Sequence, residues 1–120
     1  METIALTGAL ADYVEGVNAF DVDRIVATFA ADAYLYDAGR EFHGTDAIRG
    51  LIEKEIVGDH VTMEVTEVVD HHGTTILRAA YDGDFDKTKL PDPLILTNYC
   101  TVRDGQIVFM ATILNRAETD

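Results

Sequence analysis

The chain has 120 residues, of which 48% are hydrophobic and 26% are charged. That length suits a single domain, and the apolar content excludes a disordered or fibrous protein. Lys and Arg total 9 against 22 Asp and Glu, which gives a formal net charge of -13. So acidic a surface repels polyanions, and we therefore expect neither nucleic acid nor an anionic membrane as a partner.

Cysteine usage and the start of the chain bear on the cellular compartment. Cys100 is the only cysteine, so the chain cannot form an internal disulfide. The first residues contain Glu2 and Asp12 but no Lys or Arg, and no apolar run approaches the roughly 18 to 20 residues needed to cross a bilayer. We therefore expect a cytoplasmic protein.

Three helices are predicted in the first half of the chain. Apolar residues at spacings of three and four predict the first over about residues 3–19. Asp21 favours a second, short helix, because Asp is a preferred N-cap residue. A third helix begins at Gly44-Thr45-Asp46, with Thr45 as its cap, and Gly58 suits the position just past its end.

Strands dominate the second half. Residues 34–36 form a short β-prone piece before a turn at 37–40, and from Val61 onward apolar and polar residues alternate with a period of two. Turns at 71–73 and 104–105 separate further strands at about 75–83, 94–103 and 106–114. Helices followed by a strand meander predict an α+β fold, with the helices on one face of a curved sheet.

Four segments carry a resemblance to a known superfamily. They are residues 13–23, 29–33, 44–49 and 102–107. Together they resemble the nuclear transport factor two-like superfamily, and within it the SnoaL-like and ketosteroid isomerase-like branch. The resemblance implies one SnoaL-like domain over residues 1–120, with a cone-shaped, cystatin-like fold of three N-terminal helices on a mainly antiparallel sheet. It also implies a deep apolar pocket and a homodimer formed through the outer face of the sheet.

The same resemblance assigns roles to three polar residues. Tyr13 aligns with the oxyanion-binding tyrosine of ketosteroid isomerase, Asp37 with its general base, and Asn98 approximately with its second oxyanion donor, a protonated aspartic acid. A carboxylate base and two neutral donors suit proton abstraction next to a carbonyl group. The remaining pocket lining is predicted to include Leu51, Cys100, Met110 and Leu114.

Each polar candidate also has an ordinary structural explanation. Tyr13 lies on the apolar stripe of its helix, Asp37 lies in a turn, and Asn98 shares the strand face of apolar neighbours, as a satisfied core amide would. Two functions therefore remain open. One is an isomerase-like enzyme acting on a small apolar or carbonyl-containing molecule, and the other is a non-catalytic ligand-binding or dimerisation protein of the same fold.

Several other activities fit the sequence poorly. SnoaL-like cyclases place an acidic base on the last strand, but residues 106–114 contain no Asp, Glu or His. Limonene epoxide hydrolases need an Arg-x-Asp, whereas Ala80 stands two residues after Arg78. Residues 82–86 resemble the opening of a calcium loop, but Lys87 replaces the required turn glycine. We expect no metal and no cofactor.

Overall fold

A six-stranded mixed sheet forms the frame of the molecule, and its strand order is β2-β1-β6-β5-β4-β3. The computed structural model describes residues 6–114. Strands β1 and β6 pair in parallel, whereas every other neighbouring pair is antiparallel. The strands are β1 (Phe29–Asp37), β2 (Arg40–His43), β3 (Thr62–His71), β4 (Thr74–Asp82), β5 (Leu94–Arg103) and β6 (Gln106–Leu114). The predicted α+β class and the curved, mainly antiparallel sheet are confirmed.

The helices are α1 (Gly8–Asn18), α2 (Val22–Ala27) and α3 (Thr45–Leu51), and a π-helical segment, Ile52–Ile56, continues α3. The predicted start of the first helix lies outside the described residues, and that helix ends at Asn18. Asp21 caps α2 as predicted, because its side chain accepts a hydrogen bond from the Arg24 backbone amide at 3.1 Å. Thr45 was the wrong cap for α3: Gly44 occupies that position with a φ of 89°, a conformation that glycine adopts without strain.

The edge of the sheet at β1 and β2 differs from the prediction. Strand β1 begins at Phe29, well before the β-prone piece at 34–36, and its small residues Ala30 and Ala33 are buried. The predicted turn after Asp37 is present, with Ala38 and Gly39 both at positive φ. It leads into β2, which the sequence did not indicate, and this short hairpin fixes the position of Asp37.

Asn18 attaches the end of α1 to strand β3. Its side-chain amide donates to the Met63 carbonyl at 2.9 Å and accepts from the Met63 amide at 2.8 Å. The side chain thereby imitates a neighbouring strand at that position. This contact helps to hold α1 against the sheet, and α1 carries Tyr13.

The core lies between the helices and the sheet face that they contact. Among its fully buried side chains are Ile25 of α2, Ile48 of α3 and Leu77 of β4. In the part of the chain that the structure describes, no helix has the length and apolarity needed to cross a membrane.

Candidate functional site

A cavity of about 310 Å³ opens between α1, the π-helical segment and the curved sheet. Most of its lining side chains are apolar, and its polar groups are few and come from separate elements. It is lined by Tyr13, Val17, Leu35, Asp37, Ala38, Leu51, Glu55, Ile56, Asp59, Val61, Tyr81, Phe85, Leu90, Leu94, Leu96, Thr112 and Leu114. An apolar cavity with a few converging polar groups is the usual form of a small-molecule site.

Asp37 lies at the end of β1 and lines this cavity. Its side chain is 31% exposed, and its Oδ2 lies 3.3 Å from Nη2 of Arg40, at the start of β2. Burial raises the pKa of Asp37, the Arg40 guanidinium opposes that rise, and the Glu55 carboxylate adds to it. Asp37 is therefore a more basic carboxylate than an exposed aspartate.

Arg40 joins Asp37 to the π-helical segment. It donates from Nη1 and Nη2 to the two carboxylate oxygens of Glu55, each at 2.8 Å. Hydrogen bonding to Arg40 is the largest of the effects that lower the pKa of Glu55. A bidentate guanidinium pair of this kind fixes the relative orientation of its partners, so Arg40 holds Asp37 and Glu55 side by side at the cavity.

Tyr13 reaches the cavity from the middle of α1. The residue is only 6% exposed, and its ring packs edge-on against Phe29 with centroids 5.8 Å apart. Burial raises the pKa of Tyr13 well above its usual value, and Tyr81, Cys100 and Asp37 add smaller contributions. Its hydroxyl has no hydrogen-bond partner within residues 6–114, so the neutral phenol is available to donate to a bound molecule.

Asn98 does not line the cavity, which differs from its predicted position. The residue is 1% exposed, and its amide nitrogen donates to the Leu77 carbonyl at 3.2 Å and to the Tyr81 hydroxyl at 2.9 Å. Its Oδ1 accepts from the Thr112 hydroxyl at 2.6 Å. Both amide hydrogens are thus committed within the protein, and none is left for a ligand.

Tyr81 is a polar residue that lines the cavity and to which the sequence patterns did not point. It follows Leu77 and Ala79 on the same face of β4, and both of those residues are fully buried. Burial raises the pKa of Tyr81, although the hydrogen bond from Asn98 opposes that rise. Strand alternation alone would have placed Tyr81 on the inner face.

The four predicted lining residues divide into two pairs. Leu51 and Leu114 line the cavity. Cys100 and Met110 do not: they face each other across β5 and β6 and are fully buried in the core. Cys100 and Met110 each lie two residues closer to the β5–β6 hairpin than Asn98 and Thr112 do. Packed side chains fill the space at that end of the sheet. Burial raises the pKa of the Cys100 thiol to about 12.

The segment between β4 and β5 supplies two further lining residues, Phe85 and Leu90. It is tied to the turn before β3, because the Asp84 amide donates to the Asp59 carbonyl at 2.7 Å and the Asp84 carboxylate lies 2.8 Å from Nδ1 of His60. The carboxylate of Asp82, in the candidate calcium segment, pairs with Lys87. Within residues 6–114, no group of three or more His, Cys, Asp or Glu side chains is arranged to hold a metal ion.

The family follows from a sequence comparison. The profile of the SnoaL-like domain matches residues 10–110. The chain belongs to the SnoaL-like domain family. The matched range contains Tyr13, Asp37 and Asn98. Among curated proteins, none matches this sequence significantly.

Solved structures of similar fold include proteins described as a cyclase, as ketosteroid isomerase-like and as an isomerase. A candidate polyketide cyclase from Sinorhizobium meliloti is 25% identical, with a TM-score of 0.79 over 89% of this chain and 94% of that one. A protein of ketosteroid isomerase-like fold from Catenulispora acidiphila, in complex with trimethylamine, is 15% identical, with a TM-score of 0.79 over 92% and 88% of the two chains. A candidate ketosteroid isomerase from Kribbella flavida is 11% identical, with a TM-score of 0.75 over 93% and 78%. The two less similar proteins share the fold with this chain.

Proposed function

We propose that this SnoaL-like protein is a proton-transfer enzyme that acts on a small, mainly apolar ketone, as ketosteroid isomerase does. The observation that carries the proposal is one cavity lined by both a half-buried carboxylate, Asp37, and a buried neutral phenol, Tyr13. Asp37 contributes to the raised pKa of Tyr13, which indicates that its charge acts on the phenol. Base and donor therefore share one site.

In the proposed reaction, Asp37 removes a proton from the carbon next to the carbonyl group. The electron pair of the broken C–H bond forms a new C=C bond, and the carbonyl oxygen becomes an enolate oxygen, to which the Tyr13 hydroxyl donates. When the substrate is a β,γ-unsaturated ketone, Asp37 then returns the proton to the γ-carbon, at the far end of the conjugated system. The result is a double-bond shift, and its atoms and electrons balance without a cofactor or co-reactant.

The environment of Asp37 supports this role. A base abstracts a carbon-bound proton more readily as its pKa rises toward the working pH. Burial raises the pKa of Asp37, while Arg40 limits that rise and orients the carboxylate through the ion pair. The largely apolar cavity strengthens the hydrogen bond to an enolate oxygen by excluding water.

The test is turnover of β,γ-unsaturated ketones of increasing size, followed by the absorbance of the conjugated product. Asp37→Asn should remove activity because the amide cannot accept the proton. Asp32→Asn is the matched control, because Asp32 lies on the same strand but is exposed and does not line the cavity. Turnover that survives Asp37→Asn would refute the proposal.

A second candidate function is binding without chemistry. It is favoured by the ion pair between Asp37 and Arg40, which already occupies the carboxylate, and by the mainly apolar lining. Under this alternative, no ketone is converted, and Asp37→Asn changes only the affinity for ligands. Binding of an unsaturated ketone without any conversion would support this alternative over the enzyme.

We also propose that the domain works as a cytoplasmic homodimer joined through the outer face of the sheet. Val69 and Ile113 lie on outward-facing positions of β3 and β6, and each is 39% exposed. Exposed apolar residues on one sheet face are compatible with such a contact. Light scattering should give twice the monomer mass, and Ile113→Lys should reduce it; a monomer would refute this assembly.

A further inference from the structure

The hydrogen bonds around Asn98 have only one consistent direction. The Leu77 carbonyl is purely an acceptor, so the Asn98 atom 3.2 Å from it must be the amide nitrogen. The other terminal atom of Asn98 is therefore its oxygen, and the Thr112 hydroxyl 2.6 Å away must donate to it. This assignment leaves one amide hydrogen of Asn98, and it points to the Tyr81 oxygen at 2.9 Å.

This assignment limits the direction in which the Tyr81 hydroxyl hydrogen can point. Because the phenol oxygen accepts from Asn98, its own O–H hydrogen must be directed elsewhere. Tyr81 lines the cavity, and no other protein acceptor for its hydroxyl is present within residues 6–114. The Tyr81 hydroxyl can therefore donate its hydrogen to a molecule bound in the cavity, where polar groups are few.

Tyr81 also acts on the pKa of Tyr13. After burial, Tyr81 is the largest cause of the raised pKa of Tyr13. Both phenols line the same cavity, from α1 and from β4, and burial raises both pKa values, so both hydroxyls remain neutral donors. A pair of neutral donors favours an acceptor oxygen that carries negative charge, because hydrogen bonds to charged groups are the stronger ones.

We propose that Asn98 is a positioning residue that directs the Tyr81 proton into the cavity, where Tyr81 acts with Tyr13 as the second donor to the carbonyl or enolate oxygen of the ligand. The inference deepens the proposed function and rests on it for the identity of that oxygen. It assigns the donor role to Tyr81 and gives Asn98 an indirect role through the Thr112–Asn98–Tyr81 chain. The ligand class is an apolar molecule with an exposed, proton-free oxygen.

The test uses 4-nitrophenol, whose absorbance distinguishes the bound phenolate from the bound phenol. All variants are made in an Asp37→Asn background, where the competing negative charge is absent. Here the site should bind the phenolate and lower the apparent pKa of the probe. Tyr81→Phe should weaken phenolate binding about tenfold or more and reverse that spectroscopic shift. Tyr99→Phe is the matched control, because Tyr99 does not line the cavity, and it should change neither quantity.

A double-mutant cycle tests the positioning role. Asn98→Leu should weaken phenolate binding less than Tyr81→Phe does, and the double variant should bind no worse than Tyr81→Phe alone. Thr112→Val provides a second entry point to the chain if Asn98→Leu fails to fold, and it should show the same coupling to Tyr81. Circular dichroism verifies the fold of each variant.

Three results would overturn the inference: unchanged phenolate binding in Tyr81→Phe, additive effects of the Asn98 and Tyr81 substitutions, or no probe binding in the Asp37→Asn background. None of these measurements depends on turnover. A failed ketone assay with the expected probe results would therefore count against the enzyme alone, and the reverse outcome would count against the role of Tyr81.

Discussion

Asp37 and Thr112 face each other across the parallel pair of β1 and β6. Thr112 in turn faces Asn98 across β5 and β6, and its hydroxyl donates to the Asn98 side chain. One transverse row of the sheet thus places the candidate base beside the residues that orient Tyr81. The parallel pairing of β1 with β6 creates this row, and local sequence gives no sign of that pairing.

Replacing Asp37 by Asn should lower turnover but raise ligand affinity and stability. Turnover should be lost, while phenolate binding should tighten because a nearby negative charge is removed.

The raised pKa of Asp37 means that the folded state holds its proton more tightly than the unfolded state. The contribution of Asp37 to stability is therefore present at low pH and is lost as the pH rises from the ordinary aspartate pKa, about 3.9, through its raised folded value.

Urea denaturation across this pH range checks the stability effect. The difference in unfolding free energy between Asp37→Asn and the parent chain should grow in favour of the variant as the pH rises, and then level off. The Asp32→Asn control should show no such trend. A difference that is constant with pH would contradict the pKa shift.

Removing the Arg40 guanidinium should raise two carboxyl pKa values. Arg40→Gln takes away the charge that lowers the pKa of Asp37 and the hydrogen bonds that lower the pKa of Glu55. Carboxyl-resolved NMR titration should show both rises, and the acidic limb of any pH-rate profile should move to higher pH. Arg49→Gln is the control, because Arg49 pairs with Asp23 and Glu53 instead; equal shifts in both variants would argue against a specific effect of Arg40.

Tyr13→Phe should separate binding from folding. The hydroxyl has no hydrogen-bond partner within the described residues, and the edge contact with Phe29 needs only the ring. The unfolding free energy should therefore stay within about 0.5 kcal/mol of the parent value, while phenolate affinity and turnover fall. A loss of several kcal/mol in urea denaturation would show that the hydroxyl serves the fold.

Two helical glycines should respond oppositely to alanine. A Cβ at Gly16 of α1 would lie 2.9 Å from Cγ1 and 3.3 Å from the backbone nitrogen of Ile25, whereas a Cβ at Gly50 of α3 would meet nothing within 4 Å. Gly16→Ala should cost about 1–3 kcal/mol through overpacking of α1 against α2. Gly50→Ala should stabilise the protein by about 0.5–1 kcal/mol, because alanine is the better helix former.

Thermal and urea unfolding of both glycine variants measures this difference. Because Gly16 lies one turn after Tyr13 on α1, Gly16→Ala should also weaken binding of a phenolate probe. If Gly16→Ala were as stable as the parent chain, α1 and α2 would have to be packed less closely than the structure has them.

Local sequence patterns were sufficient for the class of the fold, and the superfamily resemblance supplied two of the polar cavity residues. Periodicity separates helices from strands because side chains repeat every 3.6 residues in one and every two in the other. It predicted β5 and β6 at 94–103 and 106–114, with the turn at Asp104 and Gly105. The superfamily resemblance assigned Tyr13 and Asp37 to one site, because the stretch between them aligns with ketosteroid isomerase without a gap.

The hydrogen bonds of Asn98 and the position of Tyr81 at the cavity depend on contacts between strands, which local sequence patterns do not specify. Strand parity placed Asn98 on the inner face, but parity does not specify which acceptor a buried amide meets. Its partners come from the two strands that flank β5: Leu77 and Tyr81 from β4 and Thr112 from β6. Close packing likewise buries Cys100 and Met110 in the core, away from the cavity. Local sequence does not specify this packing, because it depends on contacts between residues that are distant in the chain.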